Sequence, residues 1–370
     1  MTNSPQHFRQ FPALIVLLSI ILVPAYGQEP AGTGLNFNTL LERADRDNSN
    51  TISKAEFRGR PEHFDRIDSD GDGQLTREEF ESMQAQRKRS RVGIANGRFR
   101  TQRDVVFGKG GERDLLLHIV LPEKPVSKPS PVYVWIHGGG WQGGTKDGGL
   151  QQVAPLVQEG FIGATIEYRL TGEASFPAQI QDCKCAIRFL RAHAAEYNID
   201  PDRIAVGGSS AGGHLAALMG TSGEVEDFEG TGGWADQSSS VQAVVDLYGP
   251  TDFKLFVTEP GFEAHNRDGS PESKLLGGGE VANNVEGIKR VNPITYVDEN
   301  DPPFLIIHGA SDRTVPVNQS QAIHDALKAH QVPSTLHVIA DAGHGGTEFS
   351  QPEIRKMIRD FLVRTLKPVQ

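Results

Sequence analysis

The segment Gly208-Ser209-Ser210-Ala211-Gly212 fits the G-x-S-x-G pattern of a sharp turn between a strand and a helix. An apolar stretch, Ile204–Val206, precedes it, and a helix-forming stretch of small residues follows. Ser210 is the candidate nucleophile, because such a turn exposes its hydroxyl and a β-carbon two residues before or after would crowd the turn. A serine hydroxyl is a weak nucleophile, so it needs a base, a group that orients the base, and donors for the oxyanion.

Candidates for the base and its orienting group each follow a predicted strand. Asp312 comes shortly after the apolar stretch Pro303–Ile307, and His344 follows Leu336–Ala340 on a glycine-rich loop. We expect His344 to act as the base and Asp312 to orient it. The order Ser, Asp, His along the chain is the one that the α/β-hydrolase arrangement requires.

A candidate for the oxyanion donors lies upstream. The predicted strand Val132–Ile136 runs into His137-Gly138-Gly139-Gly140-Trp141. This pattern is typical of an HGGG oxyanion loop, in which bare glycines let backbone N–H groups point at a substrate oxygen.

Other residues compete for the same roles. Asp252 and Asp341 are rival carboxylates, but neither combines a preceding strand with a helix-length gap before the histidine, as Asp312 does. His214 and His308 are predicted to be structural, because each lies too near another motif to act as the base.

Residues from about 102 to 366 resemble bacterial α/β-hydrolase esterases related to hormone-sensitive lipase, and more closely the secreted acetyl- and feruloyl-esterase-like branch. The segments that carry the resemblance are Trp135–Trp141, Tyr168–Leu170, Gly208–Leu215, Pro302–Phe304 and Gly343–Gly345. The resemblance implies an eight-stranded, mostly parallel sheet, and it implies that the oxyanion N–H groups belong to Gly139, Gly140 and Ala211. The lipase-like members usually carry N-terminal helices that cap the site, whereas this chain has a different sequence there, so we expect an open cleft.

Residues 36 to 80 contain two acidic loops that follow the twelve-residue EF-hand pattern, Asp45–Glu56 and Asp68–Glu79. Oxygens at loop positions 1, 3, 5, 7 and 12 converge on a hard cation in this pattern. The predicted calcium ligands are Asp45, Asp47, Ser49, the Thr51 carbonyl and Glu56 in the first loop, and Asp68, Asp70, Asp72, the Gln74 carbonyl and Glu79 in the second.

The two loops differ at position 6, which needs a sharp bend. The second loop has Gly73 there, whereas the first has Asn50, a residue that tolerates the left-handed region, and also has one fewer carboxylate. We therefore expect weaker calcium binding by the first loop. Ile52 and Leu75 are predicted to pair the loops. The compact pair looks like the abbreviated calcium modules of secreted bacterial proteins, dockerin-like repeats included, and a structural role is favoured over a regulatory one.

The N-terminal residues 1–27 have the layout of a secretory signal, with Arg9 before the apolar stretch Phe11–Val23 and small residues up to Gly27. A retained membrane anchor is the alternative. The predicted organisation is a signal peptide (1–27), a paired EF-hand module (28–86), a linker (87–101) and a catalytic domain (102–370). The fold class is an α/β-hydrolase fold, with helices on both faces of the sheet, preceded by a small all-α EF-hand pair.

Charge and loop length add two expectations. The linker carries the basic run Arg87–Arg91, but a net charge of −10 and the secretory signal argue against nucleic-acid binding. The long segments 221–240 and 251–300 are expected to form the rim of the substrate cleft.

The sequence therefore predicts a secreted or periplasmic carboxylic-ester hydrolase that works through an acyl-enzyme on short-acyl or feruloyl esters of polysaccharides. Its partners are an ester substrate and structural calcium, with no catalytic cofactor, no nucleic acid and no stable membrane span after signal removal. Two alternatives stay open. One is a serine exopeptidase of the same fold, and the other is a calcium-dependent docking protein with an inactive hydrolase scaffold.

Overall fold

The computed structural model describes residues 37, 41, 44–47, 49–57, 64, 67–82, 99–124, 126–223 and 225–367. The predicted signal segment and most of the predicted linker lie outside the described residues. The chain divides into two compact units, Met1–Arg89 and Ser90–Gln370. No helix within the described ranges combines the length and the apolar character needed to cross a bilayer.

The first unit is built around the two acidic loops. Strands β1 (Ile52–Ser53) and β2 (Gln74–Leu75) pair antiparallel, with Ile52 opposite Leu75, so the predicted pairing of the loops is confirmed. Both of these side chains are fully buried. They belong to a small core whose buried members are Phe37, Ala44, Ile52, Phe64, Ile67, Leu75 and Phe80.

The second unit contains an eight-stranded sheet in the order β10-β9-β8-β7-β5-β6-β4-β3. The strands are β3 (Phe99–Gly110), β4 (Arg113–Pro122), β5 (Ser130–Ile136), β6 (Ile162–Ile166), β7 (Ile199–Ser209), β8 (Ala243–Leu247), β9 (Phe304–Gly309) and β10 (Ser334–Ile339). Strand β4 is antiparallel to both β3 and β6, and the other neighbours are parallel. The mostly parallel sheet expected from the sequence is therefore present.

Helices cover both faces of this sheet. They are α1 (Leu150–Gln158), α2 (Ala178–Ala192), α3 (Ala194–Tyr197), α4 (Ala211–Thr221), α5 (Phe253–Thr258), α6 (Pro271–Leu275), α7 (Val285–Val291), α8 (Asn318–Ala329) and α9 (Pro352–Leu366). Apolar residues of α2, α4 and α8 join one core, and those of α1 and α9 join the other. Alternate residues of β5 point to the two cores, so this strand is buried on both sides, as parallel strands between helical layers are.

Helix α4 approaches the sheet closely because its residues are small. All of its residues are buried, and a β-carbon on Gly220 would lie 2.6 Å from Val244 Cγ2. The helix follows β7 on the face opposite to α1, which follows β5. The loops after these two neighbouring strands therefore diverge at the carboxyl edge of the sheet, where doubly wound folds bind ligands.

The expectation that residues 221–240 line the rim of the substrate cleft stays a prediction. After α4, this segment packs along α2, where the Gln181 side chain donates to the Asp227 carbonyl and Phe228 packs on Phe176. Trp234 donates to the Phe107 carbonyl near the end of β3. The segment 251–300 reaches the carboxyl edge of the sheet, since a β-carbon on Gly140 would lie 3.3 Å from Pro271 Cβ.

Candidate active site

The turn between β7 and α4 holds Ser210 in a strained conformation. Its φ of 56° and ψ of −122° are rare for a residue with a side chain. A β-carbon on Gly208 would lie 2.2 Å from the Gly212 carbonyl oxygen, and one on Gly212 would lie 2.2 Å from that of Ile136. The prediction that only glycine fits two residues before and after the serine is therefore confirmed.

The structure brings Ser210, His344 and Asp312 together at the carboxyl edge. His344 Nε2 lies 2.9 Å from Ser210 Oγ, and His344 Nδ1 lies 2.7 Å from Asp312 Oδ2. The carboxylate can only accept, so Nδ1 carries the hydrogen and Nε2 is left to accept from the serine hydroxyl. This is the tautomer in which an imidazole can remove the serine proton.

Asp312 stays ionised in a buried position. Burial of its side chain would raise its pKa, but hydrogen bonds from His308 and His344 and the N–H group of Val315 hold the pKa of Asp312 below its usual range. A permanently charged carboxylate at this place stabilises the imidazolium that forms when His344 takes a proton.

Tyr248, the first residue after β8, supports the histidine from the side. Its ring lies edge-on to His344 with centroids 4.8 Å apart, and it also packs on Phe349. Its φ of 46° places it in the left-handed region. Tyr248 was not predicted as a site residue, although its place directly after a sheet strand is the same signal that indicates the other site residues.

The glycine loop after β5 lies against the nucleophile turn. A β-carbon on Gly138 would lie 3.4 Å from Ser210 Cβ. The Gly139 carbonyl accepts from the N–H groups of Gln142 and Gly143, both at 3.1 Å. In a trans peptide the N–H points opposite to the carbonyl, so the Gly140 N–H faces away from this internal turn.

The third candidate donor belongs to Ala211. It is the first residue of α4, and the first N–H groups of a helix have no acceptor within the helix. Ala211 thus lies beside Ser210 at a helix N-terminus, a place where a negative oxygen is stabilised, and Gly140 belongs to the glycine loop that meets Ser210 through Gly138.

Buried aromatic and histidine contacts fix the glycine loop. Trp141 is 2% exposed, and its indole N–H donates to His214 Nδ1 at 3.2 Å. The other nitrogen of His214 donates to the Val291 carbonyl, so both ring nitrogens are engaged away from the Ser210 hydroxyl. On the opposite side, the His137 ring stacks on Tyr168.

The rival carboxylates have other roles. Asp252 caps α5 by accepting from the N–H groups of Lys254 and Leu255, and Asp341 is exposed on the turn after β10. His214 and His308 are both fully buried, as expected of structural residues.

The two acidic loops of the first unit each gather carboxylates. Oxygens of Asp45, Asp47 and Glu56 lie within 4.8 Å of one another, and so do those of Asp68, Asp70 and Glu79. The bend at position 6 is left-handed in both loops, with φ of 63° at Asn50 and 80° at Gly73. Oxygen donors grouped at this spacing fit a calcium ion.

The glutamates at position 12 are prepared as anions. The Ser53 hydroxyl and the N–H groups of Arg46 and Ser53 lower the pKa of Glu56 to about 2. For Glu79, burial opposes ionisation, but donors from Thr76 and Ser69 lower its pKa. The predicted ligands Ser49, Thr51, Asp72 and Gln74 lie in the same loops, where the Asp72 carboxylate accepts from the Gln74 N–H at 2.7 Å.

Comparison with known proteins agrees with both units. Residues 117–327 match the family model described as BD-FAE, and residues 37–59 and 62–84 each match the EF-hand model. Among curated proteins, the chain is 30% identical over 226 residues to a probable carboxylic ester hydrolase, LipM, of Mycobacterium tuberculosis, covering 61% of this chain and 51% of LipM. The chain spans between 51% and 61% of the lengths of the first curated relatives it matches.

Solved structures give the same picture. A truncated carbohydrate esterase from gut microbiota is 31% identical with a TM-score of 0.67, and the match covers 73% of this chain and 98% of that one. An acetyl ester-xyloside bifunctional hydrolase from Caldicellulosiruptor lactoaceticus is 26% identical with a TM-score of 0.59, covering 68% and 89%. The chain therefore belongs to the BD-FAE family, with an α/β-hydrolase fold, and carries an EF-hand pair ahead of that domain.

Proposed function

We propose that this protein is a serine carboxylesterase in which Ser210 is the nucleophile, His344 the base and Asp312 the group that orients it. One observation supports this above all others: a single imidazole bridges the serine hydroxyl at 2.9 Å and a buried carboxylate at 2.7 Å. The esterase names of the relatives and structural neighbours agree with it.

In the first half of the proposed reaction, Ser210 Oγ attacks the ester carbonyl carbon while His344 Nε2 takes the hydroxyl proton. The carbonyl oxygen becomes an oxyanion, which the N–H groups of Gly139, Gly140 and Ala211 stabilise. The bond to the alcohol oxygen then breaks, and the proton on His344 passes to that oxygen. The alcohol leaves and the acyl group stays on Ser210.

In the second half, a water molecule takes the place of the alcohol. His344 removes a proton from the water as its oxygen attacks the acyl carbon, and the same N–H groups hold the second oxyanion. Collapse releases the carboxylic acid and returns the proton to Ser210 Oγ. Asp312 remains ionised throughout and only orients and stabilises the imidazole.

The proposed substrates are short-acyl or feruloyl esters of polysaccharides. Two structural neighbours support this class by their names, a carbohydrate esterase and an acetyl ester-xyloside hydrolase. The place of action would be outside the cytoplasm, which rests on the signal-like pattern of residues 1–27.

We propose that the EF-hand unit binds calcium through the ten predicted ligands. Bound calcium would neutralise the grouped carboxylates and so tie each loop together. We assign this role to stability, because the carboxylates belong to the first unit and Ser210, Asp312 and His344 to the second.

A substrate panel tests the proposal on the full chain. Initial rates are measured with p-nitrophenyl acetate, butyrate and octanoate, methyl ferulate and acetylated xylan, each with calcium and with chelator, for the wild type and Ser210→Ala. We expect a preference for acetyl or feruloyl esters, the same rates in chelator, and loss of hydrolysis in the variant.

The other outcomes separate the alternatives. A preference for octanoate would indicate a lipase-like pocket, and cleavage of dipeptide p-nitroanilides instead of esters would favour an exopeptidase. A Ser210→Ala variant as active as the wild type would contradict the assignment of the nucleophile.

A further inference from the structure

A second histidine, which is fully buried, lies on the far side of the Asp312 carboxylate. His308 is the penultimate residue of β9, and its Nε2 lies 3.3 Å from Asp312 Oδ2, the same oxygen that His344 contacts. His308 and the Asp312 side chain are both inaccessible to solvent. From the sequence, His308 is expected to have a structural role only.

The neighbours of His308 fix which nitrogen carries the hydrogen. Nε2 faces two groups that only accept, the Val315 carbonyl at 2.9 Å and the Asp312 carboxylate. Nε2 therefore carries the hydrogen and donates it to the Val315 carbonyl, with Asp312 Oδ2 in polar contact beside it. Nδ1 lies 2.7 Å from the Ser320 hydroxyl, which can donate to it and so holds this tautomer.

Neighbouring groups hold both oxygens of the Asp312 carboxylate. Oδ1 accepts from the N–H groups of Thr314 at 2.8 Å and Val315 at 2.9 Å, while Oδ2 accepts from His344 Nδ1 at 2.7 Å and lies 3.3 Å from His308 Nε2. The N–H edge of His308 thus lies against the same oxygen that His344 contacts, and it limits how far the plane of the carboxylate can turn.

Other titratable groups face His308 from neighbouring strands. Asp246 on β8 is fully buried, and burial raises its pKa to about 6. Tyr248 lies edge-on to the His308 ring at 6.4 Å, and burial raises the pKa of Tyr248 to about 12. The tyrosine is thus neutral at pH 7, and Asp312 is the carboxylate that His308 contacts directly.

We propose that His308 is a positioning residue for the reaction: held by Ser320, it fixes the Asp312 carboxylate in the orientation that His344 needs. This inference rests on the proposed ester hydrolysis. The chain Ser320–His308–Asp312–His344–Ser210 extends the site across β9 to helix α8.

The test compares His308→Leu, which removes the donor, with His308→Gln, whose amide can replace it. We expect His308→Leu to lower kcat on p-nitrophenyl acetate by about 10- to 100-fold with KM nearly unchanged, because misplacement of a base affects the reaction and not binding. His308→Gln should recover most of this loss. A purely structural role would lower the unfolding midpoint for both variants without separating their kcat values.

A matched pair of serine variants keeps the proposal testable if His308→Leu does not fold. Ser320 on α8 contacts His308 at 2.7 Å. Ser334 makes a similar contact with a different histidine, His324 of α8, at 2.8 Å. We expect Ser320→Ala to lower kcat several-fold and Ser334→Ala to leave it unchanged. If Ser320→Ala or folded His308→Leu kept the wild-type kcat, the proposal would be overturned.

A proton NMR measurement does not depend on ester hydrolysis. It therefore tests the positioning role of His308 separately from the proposed function. The His344 Nδ1–H, identified by its absence in His344→Gln, should give a low-field resonance that broadens in His308→Leu and returns in His308→Gln. An unchanged resonance in His308→Leu would contradict the positioning role. A wild type that hydrolyses no ester would instead contradict the proposed function.

Discussion

The EF-hand loops and the Ser210 site both group acidic and polar side chains, but over very different lengths of chain. Each loop assembles its carboxylates within one twelve-residue segment. The Ser210 site joins residues 134 and 32 positions apart, so it exists only when strands β7, β9 and β10 lie in register. The arrangement of carboxylates in each loop therefore depends on the residues of that loop alone. The arrangement of the Ser210 site depends on the packing of a whole domain.

The two regions also stabilise charge differently. The loop carboxylates are at least partly exposed, except for the two position-12 glutamates. Asp68, for example, accepts N–H groups from its own loop. Asp312 is buried and depends on two histidines that other parts of the fold position. A buried charge whose partners are lost costs far more than an exposed one, so small changes in packing should affect the hydrolase unit more.

The largest effect should come from a single methyl group in the glycine loop. Gly139 has a φ of 122°, and the β-carbon of Gly139→Ala would lie 2.3 Å from the Gly143 carbonyl oxygen, so the loop must move. We expect kcat/KM for p-nitrophenyl acetate to fall by about 100- to 1000-fold, the cost of losing an oxyanion donor.

Gly148→Ala is the matched control for this change. Gly148 follows the same loop within the 3-10 helix Lys146–Gly149, and no atom lies within 4 Å of a β-carbon built there. The control should keep wild-type activity. If Gly139→Ala were equally active, the placement of the oxyanion donors would be wrong.

A smaller effect is a loss of stability in acid, which we expect of the hydrolase unit because it contains His214. Burial lowers the pKa of His214 from 6.5 to about 4, against a raising effect of the Val291 carbonyl. The folded protein then binds fewer protons than the unfolded one between these values. The contribution of His214 to the free energy of unfolding is therefore complete above pH 6.5. It is lost as the pH falls towards 4, by at most about 3 kcal/mol.

Denaturant unfolding followed by tryptophan fluorescence measures the free energy of unfolding of the hydrolase unit, because all three tryptophans lie in that unit. The wild type should lose stability from pH 6.5 to 4, and His214→Gln should lose less, since an amide can keep both hydrogen bonds without titrating. Equal slopes for the two proteins would show that His214 is not the origin.

The smallest effect concerns position 6 of the first loop. Asn50 and Gly73 occupy equivalent places, since each donates its N–H to the first aspartate of its loop at 3.0 Å. Asn50 holds a φ of 63° at a small cost that glycine avoids. We expect Asn50→Gly to tighten calcium binding by the first loop by about 2- to 5-fold in a calorimetric titration, and Gly73→Asn to weaken the second. Weaker binding by Asn50→Gly would contradict this reasoning.

The contrast between the regions also explains what the sequence could predict. The loop ligands and the Ser210 turn are encoded in short segments, because local backbone geometry demands particular residues there. Asp312 and His344 were predictable because residues after parallel strands meet at one edge of a sheet. The alternation of strands and helices was enough to place them.

Features that depend on tertiary packing could not be predicted. His308 gives no local signal of its contact with Asp312, because that contact depends on how the loop after β9 folds back onto the strand. Tyr248 likewise becomes a neighbour of His344 only when β8 and the loop after β10 are both in place.

The most direct test of the central claim is to identify the residue that becomes acylated or phosphonylated. The full chain is treated with a fluorophosphonate, digested and analysed by peptide mass spectrometry. We predict one adduct per chain, on the peptide that contains Ser210, and none in Ser210→Ala. An adduct on another serine, or a Ser210→Ala variant that is still modified, would contradict the account.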